Sequence, residues 1–165
     1  MPQGLVVYTI GHSDHGTGAL LDLLRRNGIT LVVDVRSQPY SRWAPHFNRE
    51  TIAHDLKEAG FAYRFMGDTL GGRPDDPTLY EPGEERPNYE QMELTEAYQS
   101  GISKLLELAQ VGPVALMCSE GDHRHCHRHL LITQTLLDRE VKVLHIQPDD
   151  TKIPGEPIAR QLSLF

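Results

Sequence analysis

The segment CSEGDHRHCHR, residues 118–128, holds the densest set of side chains that can act as nucleophiles, acids, bases or metal ligands. Both cysteines of the chain lie in it, together with two carboxylates, three histidines and two arginines. A thiol can attack an electrophile, a carboxylate or imidazole can move a proton, and a guanidinium can bind an anion. The catalytic candidates are therefore Cys118, Glu120, Cys126 and His127, and the anion-binding candidates are Arg124 and Arg128.

A metal site is one interpretation of this segment, and its spacing does not favour it. Structural zinc sites use cysteines about two to four residues apart, or paired histidines backed by a second cluster. Cys118 and Cys126 are eight positions apart, and no second cluster of cysteine and histidine occurs elsewhere in the sequence. The loop GHSDHGTG, residues 11–18, lacks both the G-x-G-x-x-G dinucleotide pattern and the lysine of a phosphate-binding loop. We expect no metal and no cofactor.

A second interpretation makes Cys118 a nucleophile in an anion-binding loop. Residues 118–124 match the pattern C-x-x-G-x-x-R, which resembles the loop of cysteine-dependent protein tyrosine phosphatases. In that family the backbone N–H groups of the loop and its arginine, here Arg124, hold a phosphate beside a thiolate. Glu120 and Asp122 would place two negative charges in a loop that must hold a dianion, so this interpretation is the less favoured one.

Two other predicted strands end in polar residues. His12 and Ser13 follow the first apolar run, and Asp34 and Arg36 follow the second. Side chains two positions apart on a strand point to the same side, so Asp34 and Arg36 are expected to be neighbours. Two alternatives stay open for Arg36: an ion pair with Asp34 that ties down the loop, or a contact to an anionic ligand. His12 and Ser13 are expected to face the same ligand.

Five apolar runs alternate with helical patterns and predict the elements that carry these residues. The runs are LVVYTI, TLVVDV, FAYRFM, PVALMC and VKVLHI. Apolar spacing and capping residues predict helices over residues 17–27, 48–59, 98–109 and 125–139. This order indicates a single-domain α/β three-layer sandwich with a mostly parallel sheet of about five strands, Rossmann-like or flavodoxin-like. Ligands in such sheets bind beyond the carboxyl ends of the strands.

Glycine and proline mark two less regular parts of the chain. Residues 66–91 are rich in both, are too long for an ordinary connection, and predict a lid or binding loop around Gly71, Gly72 and Arg73. Residues 147–165 contain three prolines and a glycine and predict an extended tail. The predicted α/β domain therefore comprises residues 1–146.

Composition excludes several classes of protein. The chain has 165 residues, 39% of them apolar, and a formal net charge of −7. This charge argues against non-specific DNA binding, which depends on neutralising phosphates with lysine and arginine. No apolar run is long enough to span a membrane, and the first residues lack the pattern of a signal peptide. We therefore expect a cytoplasmic protein with no membrane partner.

Four motifs carry a resemblance to a known family. TIGHS, DVRSQPYSR, LGG and CSEGDHRHCHR occur in an order and at spacings that resemble the bacterial and archaeal family named domain of unknown function 488. The resemblance covers residues 8–146. It implies the α/β domain and leaves the reaction open. It also implies a site in the family motif C-x-E-x5-C-H-R, which falls on Cys118, Glu120, Cys126, His127 and Arg128.

The last five residues, QLSLF, resemble the pentapeptide with which bacterial DNA polymerases and repair proteins bind the replication sliding clamp. The resemblance implies that Gln161 anchors the peptide by hydrogen bonds and that Leu162, Leu164 and Phe165 fill apolar pockets, with Ser163 at the Ser-or-Asp position. The alternative is that these apolar residues pack back onto the domain. Attachment to a clamp that encircles DNA would reconcile a role in DNA metabolism with an acidic surface.

These observations predict a strand-end site for an anionic small molecule or nucleotide in a protein recruited to the DNA sliding clamp for replication or repair. Whether it is an enzyme stays open; if it is one, we expect a hydrolase or transferase acting on a nucleic-acid-related or phosphorylated substrate. Two alternatives are a non-catalytic clamp-binding or regulatory module, and a cysteine-dependent phosphatase-like enzyme unrelated to DNA.

Overall fold

A six-stranded sheet forms the centre of the computed structural model, which describes residues 4–13 and 15–158. The strands are β1 (Val6–Gly11), β2 (Leu31–Asp34), β3 (Ala62–Phe65), β4 (Val114–Cys118), β5 (Lys142–Ile146) and β6 (Lys152–Pro154). Their order across the sheet is β3-β2-β4-β1-β5-β6, and all are parallel except the edge strand β6. The predicted α/β class with a mostly parallel sheet is confirmed, with one strand more than expected.

Helices connect the strands. They are α1 (Thr17–Arg26), α2 (Arg49–Glu58), α3 (Gly67–Leu70), α4 (Tyr89–Glu93), α5 (Glu96–Val111) and a π-helical segment (Arg128–Thr133) that continues into α6 (Gln134–Asp138). The last of these begins at Arg128 and not at His125 as predicted. The reason is that residues 123–125 form a separate 3₁₀ turn, after which Cys126 is extended, with φ −119° and ψ 145°.

The helices cover both faces of the sheet, as a three-layer sandwich requires. On one face, α1 and α2 bury Leu20, Leu24, Ile52 and Leu56 against the sheet. On the other face, α5, the π-helical segment and α6 bury a second cluster that includes Ile102, Leu105, Leu131 and Leu136. The strand β4 lies between these layers with all five residues buried, which explains why its sequence is a continuous apolar run and not an alternating one.

The position of β4 in the sheet determines where a ligand can bind. It pairs with β1 on one side and β2 on the other. After β1 and β2 the chain continues into helices on one face of the sheet. After β4 it continues into the π-helical segment, which lies on the opposite face. Where neighbouring connections diverge in this way, a crevice opens beyond the carboxyl ends of the strands. The candidate residues therefore converge at this crevice.

The first part of the predicted tail is attached to the sheet. Residues 152–154 form β6 on β5, and the backbone N–H of Gly155 donates to the Val143 carbonyl at 2.8 Å. Further along, the N–H of Ile158 donates to Gln134 Oε1 at 3.1 Å. The clamp-like residues 161–165 lie outside the described residues. Among the helices of the described part, none is long and apolar enough to cross a membrane.

Gly11, at the end of β1, allows the loop after β4 to approach closely. A Cβ atom at this position would lie 1.8 Å from the carbonyl oxygen of Glu120. We expect Gly11→Ala to lower the free energy of unfolding by about 1–3 kcal/mol, because the loop must shift to make room.

The matched control is Gly18→Ala in α1, where a Cβ atom would meet nothing within 4 Å. This change should be neutral or stabilise the protein by up to about 1 kcal/mol. Urea denaturation of both variants makes the comparison, and equal stability of the two would contradict the close approach.

Candidate functional site

A cavity of about 810 Å³ opens beyond the carboxyl ends of β2 and β4. Cys118 and Glu120 line it from the loop after β4, and Cys126 and His127 line it from the residues before the π-helical segment. The opposite wall comes from the Gly- and Pro-rich stretch predicted as a lid or binding loop, which contributes Gly72, Arg73 and residues 83–87. The structure thus brings all four catalytic candidates to one cavity.

The two cysteines form a closely coupled pair of free thiols. Their Sγ atoms are 2.8 Å apart, and both side chains are buried. Burial by itself raises the pKa of Cys118, but the hydrogen bond from Cys126 and the charge of Arg128 outweigh it and bring that pKa below its ordinary value. The same hydrogen bond, together with burial, raises the pKa of Cys126. Cys118 is therefore the thiol of the pair that ionises first, and Cys126 keeps its proton longer.

Arg128 is the charged group that favours this thiolate. Its side chain has no exposed surface, and one nitrogen, Nη2, donates to the Gly121 carbonyl at 3.2 Å. Its Nε and Nη1 atoms have no hydrogen-bond partner among the described residues. Glu120, considered above as its carboxylate partner, is exposed and forms no ion pair with it. Because a buried cation needs a compensating charge, an ionised Cys118 thiol would supply one, and the charge of Arg128 lowers the pKa of that thiol.

His127 is positioned to accept a proton near the cysteines. Its Nε2 lies 2.9 Å from the carbonyl oxygen of Val35 and must donate to it, which leaves Nδ1 as the acceptor in a neutral ring. Nδ1 is 3.7 Å from the Sγ of Cys126. Burial lowers the pKa of His127 to about 4, so the ring is neutral at pH 7. Gly72 packs on the ring, with no room for a Cβ atom, since that atom would be 2.8 Å from Cγ.

Asp34 and Arg36 form a buried ion pair, the first of the two alternatives described above. The guanidinium donates from Nε and Nη2 to the two carboxylate oxygens at 2.8 and 2.7 Å, and from Nη1 to the Phe47 carbonyl at 2.7 Å. The hydroxyl of Tyr63 also donates to Asp34 Oδ2, at 2.6 Å. Most of the N–H groups of Arg36 are thus engaged by protein, and the side chain holds the loop after β2 in place.

His12 and Ser13 support this arrangement from the end of β1 and do not line the cavity. His12 donates from Nδ1 to the Ser13 carbonyl at 2.9 Å, and its Nε2 accepts from Arg36 Nη1 at 3.3 Å. Burial lowers the pKa of His12 to about 4, in agreement with a neutral ring. Ser13 adopts a positive φ of 45°, and its N–H donates to the Ser119 carbonyl at 2.9 Å. Both residues position the loop after β4.

Arg124 is not part of the cavity. Its side chain is 73% exposed and pairs with Asp122, with Nη2 and Oδ2 2.9 Å apart. A phosphatase-type loop would need this guanidinium beside the cysteine thiol. The structure instead places Arg128, four residues later, behind the thiol, so the C-x-x-G-x-x-R pattern does not form a phosphate cradle around Cys118.

Sequence reasoning missed a cluster of three histidines that lies near Arg128. The rings of His123 and His145 stack with centroids 4.0 Å apart, and His129 meets both edge-on. His145 Nδ1 is also 2.6 Å from the hydroxyl oxygen of Thr9. Burial lowers the pKa of all three histidines, with the charge of Arg128 acting in the same direction. Across the described residues, no group of histidine, cysteine or carboxylate side chains has the arrangement of a metal site.

Comparison with known proteins identifies the family of the chain. A family model described as "Domain of unknown function DUF488" matches residues 17–135 of 165. The chain belongs to the DUF488 family. The family match includes Asp34, Arg36 and the whole segment 118–128, whereas His12, Ser13 and His145 lie outside it. No curated protein and no solved structure matches the chain.

The lowered pKa of Cys118 can be measured by alkylation, because only the thiolate reacts. We expect iodoacetamide to modify Cys118 with a pH inflection below that of an ordinary cysteine, with the site identified by peptide mass spectrometry. Arg128→Met should move the inflection to higher pH and slow the reaction at pH 7, since the charge that favours the thiolate is gone.

Two further variants complete this test. Arg128→Lys keeps the charge and should keep the inflection low, and Arg26→Met removes an exposed arginine from the far end of α1 and should change nothing. Circular dichroism establishes that each variant is folded. An inflection that is the same in folded Arg128→Met and wild type would show that Arg128 does not act on the thiol.

Proposed function

We propose that this DUF488 protein is a cytoplasmic cysteine-dependent hydrolase or transferase that acts on a nucleotide-like substrate in the cavity beyond β2 and β4. The observation that carries the proposal is a buried arginine, Arg128, that has no carboxylate partner and lowers the pKa of the Cys118 thiol. A guanidinium with no exposed surface and no carboxylate partner costs folding free energy unless an anion lies beside it. Retaining a buried charge to stabilise a thiolate is typical of an active site and not of a structural cysteine.

In this proposal four side chains at the cavity have roles, namely Cys118, Glu120, Cys126 and His127. The Cys118 thiolate forms a covalent bond to the electrophilic centre of the substrate, and the leaving group departs with the pair of electrons that bound it. Glu120, exposed on the cavity wall, protonates the leaving group and then deprotonates the water or acceptor that displaces the thiolate. Between turnovers, the S–H of Cys126 donates a hydrogen bond to the Cys118 thiolate. His127 keeps Cys126 in position.

The charges in the cavity favour a nucleotide-like ligand over a simple anion. Exposed Arg73 and Arg86 face it, but Glu84, Glu85 and Glu120 line it as well. A bare phosphate would meet repulsion from these carboxylates. A nucleotide carries phosphate oxygens that arginine binds and exocyclic amino groups that donate to glutamate, so it can satisfy both kinds of side chain.

Calorimetric titration with the common nucleoside 5′-monophosphates and with inorganic phosphate tests the ligand class. We expect a nucleotide to bind and phosphate to bind far more weakly. The double variant Arg73→Ala, Arg86→Ala should lose about tenfold or more in affinity, because a hydrogen bond to a charged group contributes about 1.5–3 kcal/mol. The control is Arg25→Ala, Arg26→Ala at the end of α1, which should bind as the wild type does.

Turnover is tested on single-stranded oligonucleotides and nucleoside triphosphates, with products separated by chromatography. Cys118→Ser and Glu120→Gln should each abolish turnover with thermal unfolding near wild type, and Cys118→Ser should also keep the nucleotide affinity of the wild type. Nucleotide binding without turnover by the wild-type protein would favour a non-catalytic sensing module. No binding of any nucleotide would refute the proposed ligand class.

The C-terminal pentapeptide carries a second proposal, recruitment to the replication sliding clamp. All five residues of QLSLF agree with the clamp-binding pattern, and the proposal is based on this sequence resemblance. Between the last described residue, Ile158, and Gln161 there are two residues, so a clamp bound to the pentapeptide would be close to the domain.

Surface plasmon resonance on an immobilised bacterial sliding clamp tests this second proposal. The full chain should bind with micromolar affinity, and a chain lacking residues 161–165 should not. Leu164→Ala, Phe165→Ala should weaken binding at least about tenfold, because few apolar side chains dominate peptide-in-groove binding, whereas Ser163→Asp fits the pattern and should bind normally. Unchanged binding after removal of the pentapeptide would locate any clamp contact elsewhere.

A further inference from the structure

We propose that the loop of residues 37–48, here called the Trp43 loop, binds single-stranded nucleic acid by stacking bases on Trp43 and Tyr40. The loop follows β2 and begins at the wall of the cavity, where Ser37 and Gln38 line it. It has no part in the Cys118 chemistry proposed above and its binding does not depend on that chemistry. It adds a surface that would hold a polymer next to the cavity.

The loop presents two aromatic side chains to solvent. Trp43 is 89% exposed and Tyr40 is 59% exposed. Three other large apolar side chains are exposed in the described part, and all three are aliphatic. They are Leu94, Val111 and Ile153, which lie in separate parts of the chain. Single exposed apolar residues are ordinary, but two exposed aromatic residues three positions apart in one loop offer two ring faces on which bases can stack.

Hydrogen bonds hold this loop in a defined shape. The N–H of Ser41 donates to Asn48 Oδ1 at 2.7 Å, and the N–H of Trp43 donates to the Ser41 hydroxyl oxygen at 3.1 Å. The N–H of Arg49 donates to the Pro39 carbonyl at 2.9 Å, which closes the loop at its base. A surface fixed in this way loses little conformational entropy when a ligand binds.

The charge of the loop and its flanking residues fits a polyanion. Residues 36–49 contain three arginines and no carboxylate, in a chain with a net charge of −7, and the nearest following carboxylate, Glu50, accepts a hydrogen bond from the Tyr40 hydroxyl at 3.0 Å. Arg36 is neutralised by Asp34, but exposed Arg42 and Arg49 form no ion pair within the described part of the chain. The guanidinium of Arg49 lies over the Phe65 ring at 4.1 Å from its centroid, which fixes its position. These two charges can contact phosphates on either side of a stacked base.

Single strands fit this surface better than duplex DNA. Stacking on an aromatic side chain requires a base whose face is free, and single strands provide it. Duplex binding depends instead on many phosphate contacts, which one basic loop on an acidic protein cannot supply. Four residues lie between Gln38 and Trp43, so the two are at most about 18 Å apart along the chain, and a strand stacked on Trp43 can extend to the cavity.

Trp43 is the only tryptophan of the chain, so its fluorescence reports directly on this surface. We expect oligo(dT) of about ten nucleotides to quench it in a titration at low salt, and added salt to reverse the quenching. A duplex of the same length should quench little. Cys118→Ser should respond as the wild type does, which separates this test from that of the proposed active site.

Variants are compared by the fluorescence anisotropy of a labelled oligo(dT). Trp43→Ala should weaken binding at least about fivefold, the lower limit for loss of one base–aromatic stack, while Trp43→Phe keeps an aromatic face and should lose less. Arg42→Ala should lower the slope of log affinity against log salt by about 0.7, the value for one phosphate contact on a single strand. Arg26→Ala, at the far end of α1, should change neither quantity.

Two results would overturn the proposal. The first is wild-type affinity in Trp43→Ala, or equal weakening in Arg26→Ala, which would mean that stacking in this loop is not the basis of binding. The second is a blue shift of Trp43 fluorescence with protein concentration in the absence of nucleic acid, together with no response to oligo(dT). That result would show that the loop is an interface between copies of this chain.

Discussion

A positive charge without any contact to water lies behind the end of the central strand, and the neighbouring groups are arranged to tolerate it. The guanidinium of Arg128 has only one hydrogen-bond partner within the described residues, the Gly121 carbonyl. The charge of Arg128 favours the thiolate form of Cys118. The same charge also lowers the pKa of His123, His129 and His145. Neutral histidines are the ionisable groups that can lie near a buried cation at low cost. The charge of Arg128 thus adds to the effect of burial at the three histidines and to the effect of the Cys126 hydrogen bond at Cys118.

The elements of the fold could be predicted because each carries a local pattern. Apolar runs of five or six residues identified the five parallel strands, and capping residues with apolar spacing identified α1, α2 and α5. The edge strand β6 could not be found in this way, since it has three exposed residues and ends in a proline. Nor could the insertion of β4 between β1 and β2 be predicted, because strand order depends on how helices pack across both faces of the sheet.

Part of the cavity lining was predictable, whereas His12, Ser13 and Arg124 do not line the cavity and the contacts within it could not be predicted. Strand-end reasoning brought Cys118, Glu120, Cys126 and His127 to one cavity, as the structure does. It could not distinguish Arg124, which pairs with Asp122 at the surface, from Arg128, which is buried. That difference depends on where the 3₁₀ turn ends and the helix begins. Tyr63 and the histidine cluster reach the site from residues that are far apart in the sequence. A local sequence pattern cannot predict contacts of that kind.

The π-helical segment at residues 128–133 makes the direction of Arg128 depend on the number of residues in this segment. A π turn holds one residue more than an α turn and commonly marks an inserted residue. Thr133 donates from Oγ1 to the Arg128 carbonyl at 2.6 Å, and Gln134 from Nε2 to the His129 carbonyl at 3.0 Å, across the widened turns. Deleting one residue here would restore a regular helix but rotate everything before it by about 100°. Arg128 would then turn away from Cys118, so the number of residues in this one segment decides which way the buried guanidinium faces.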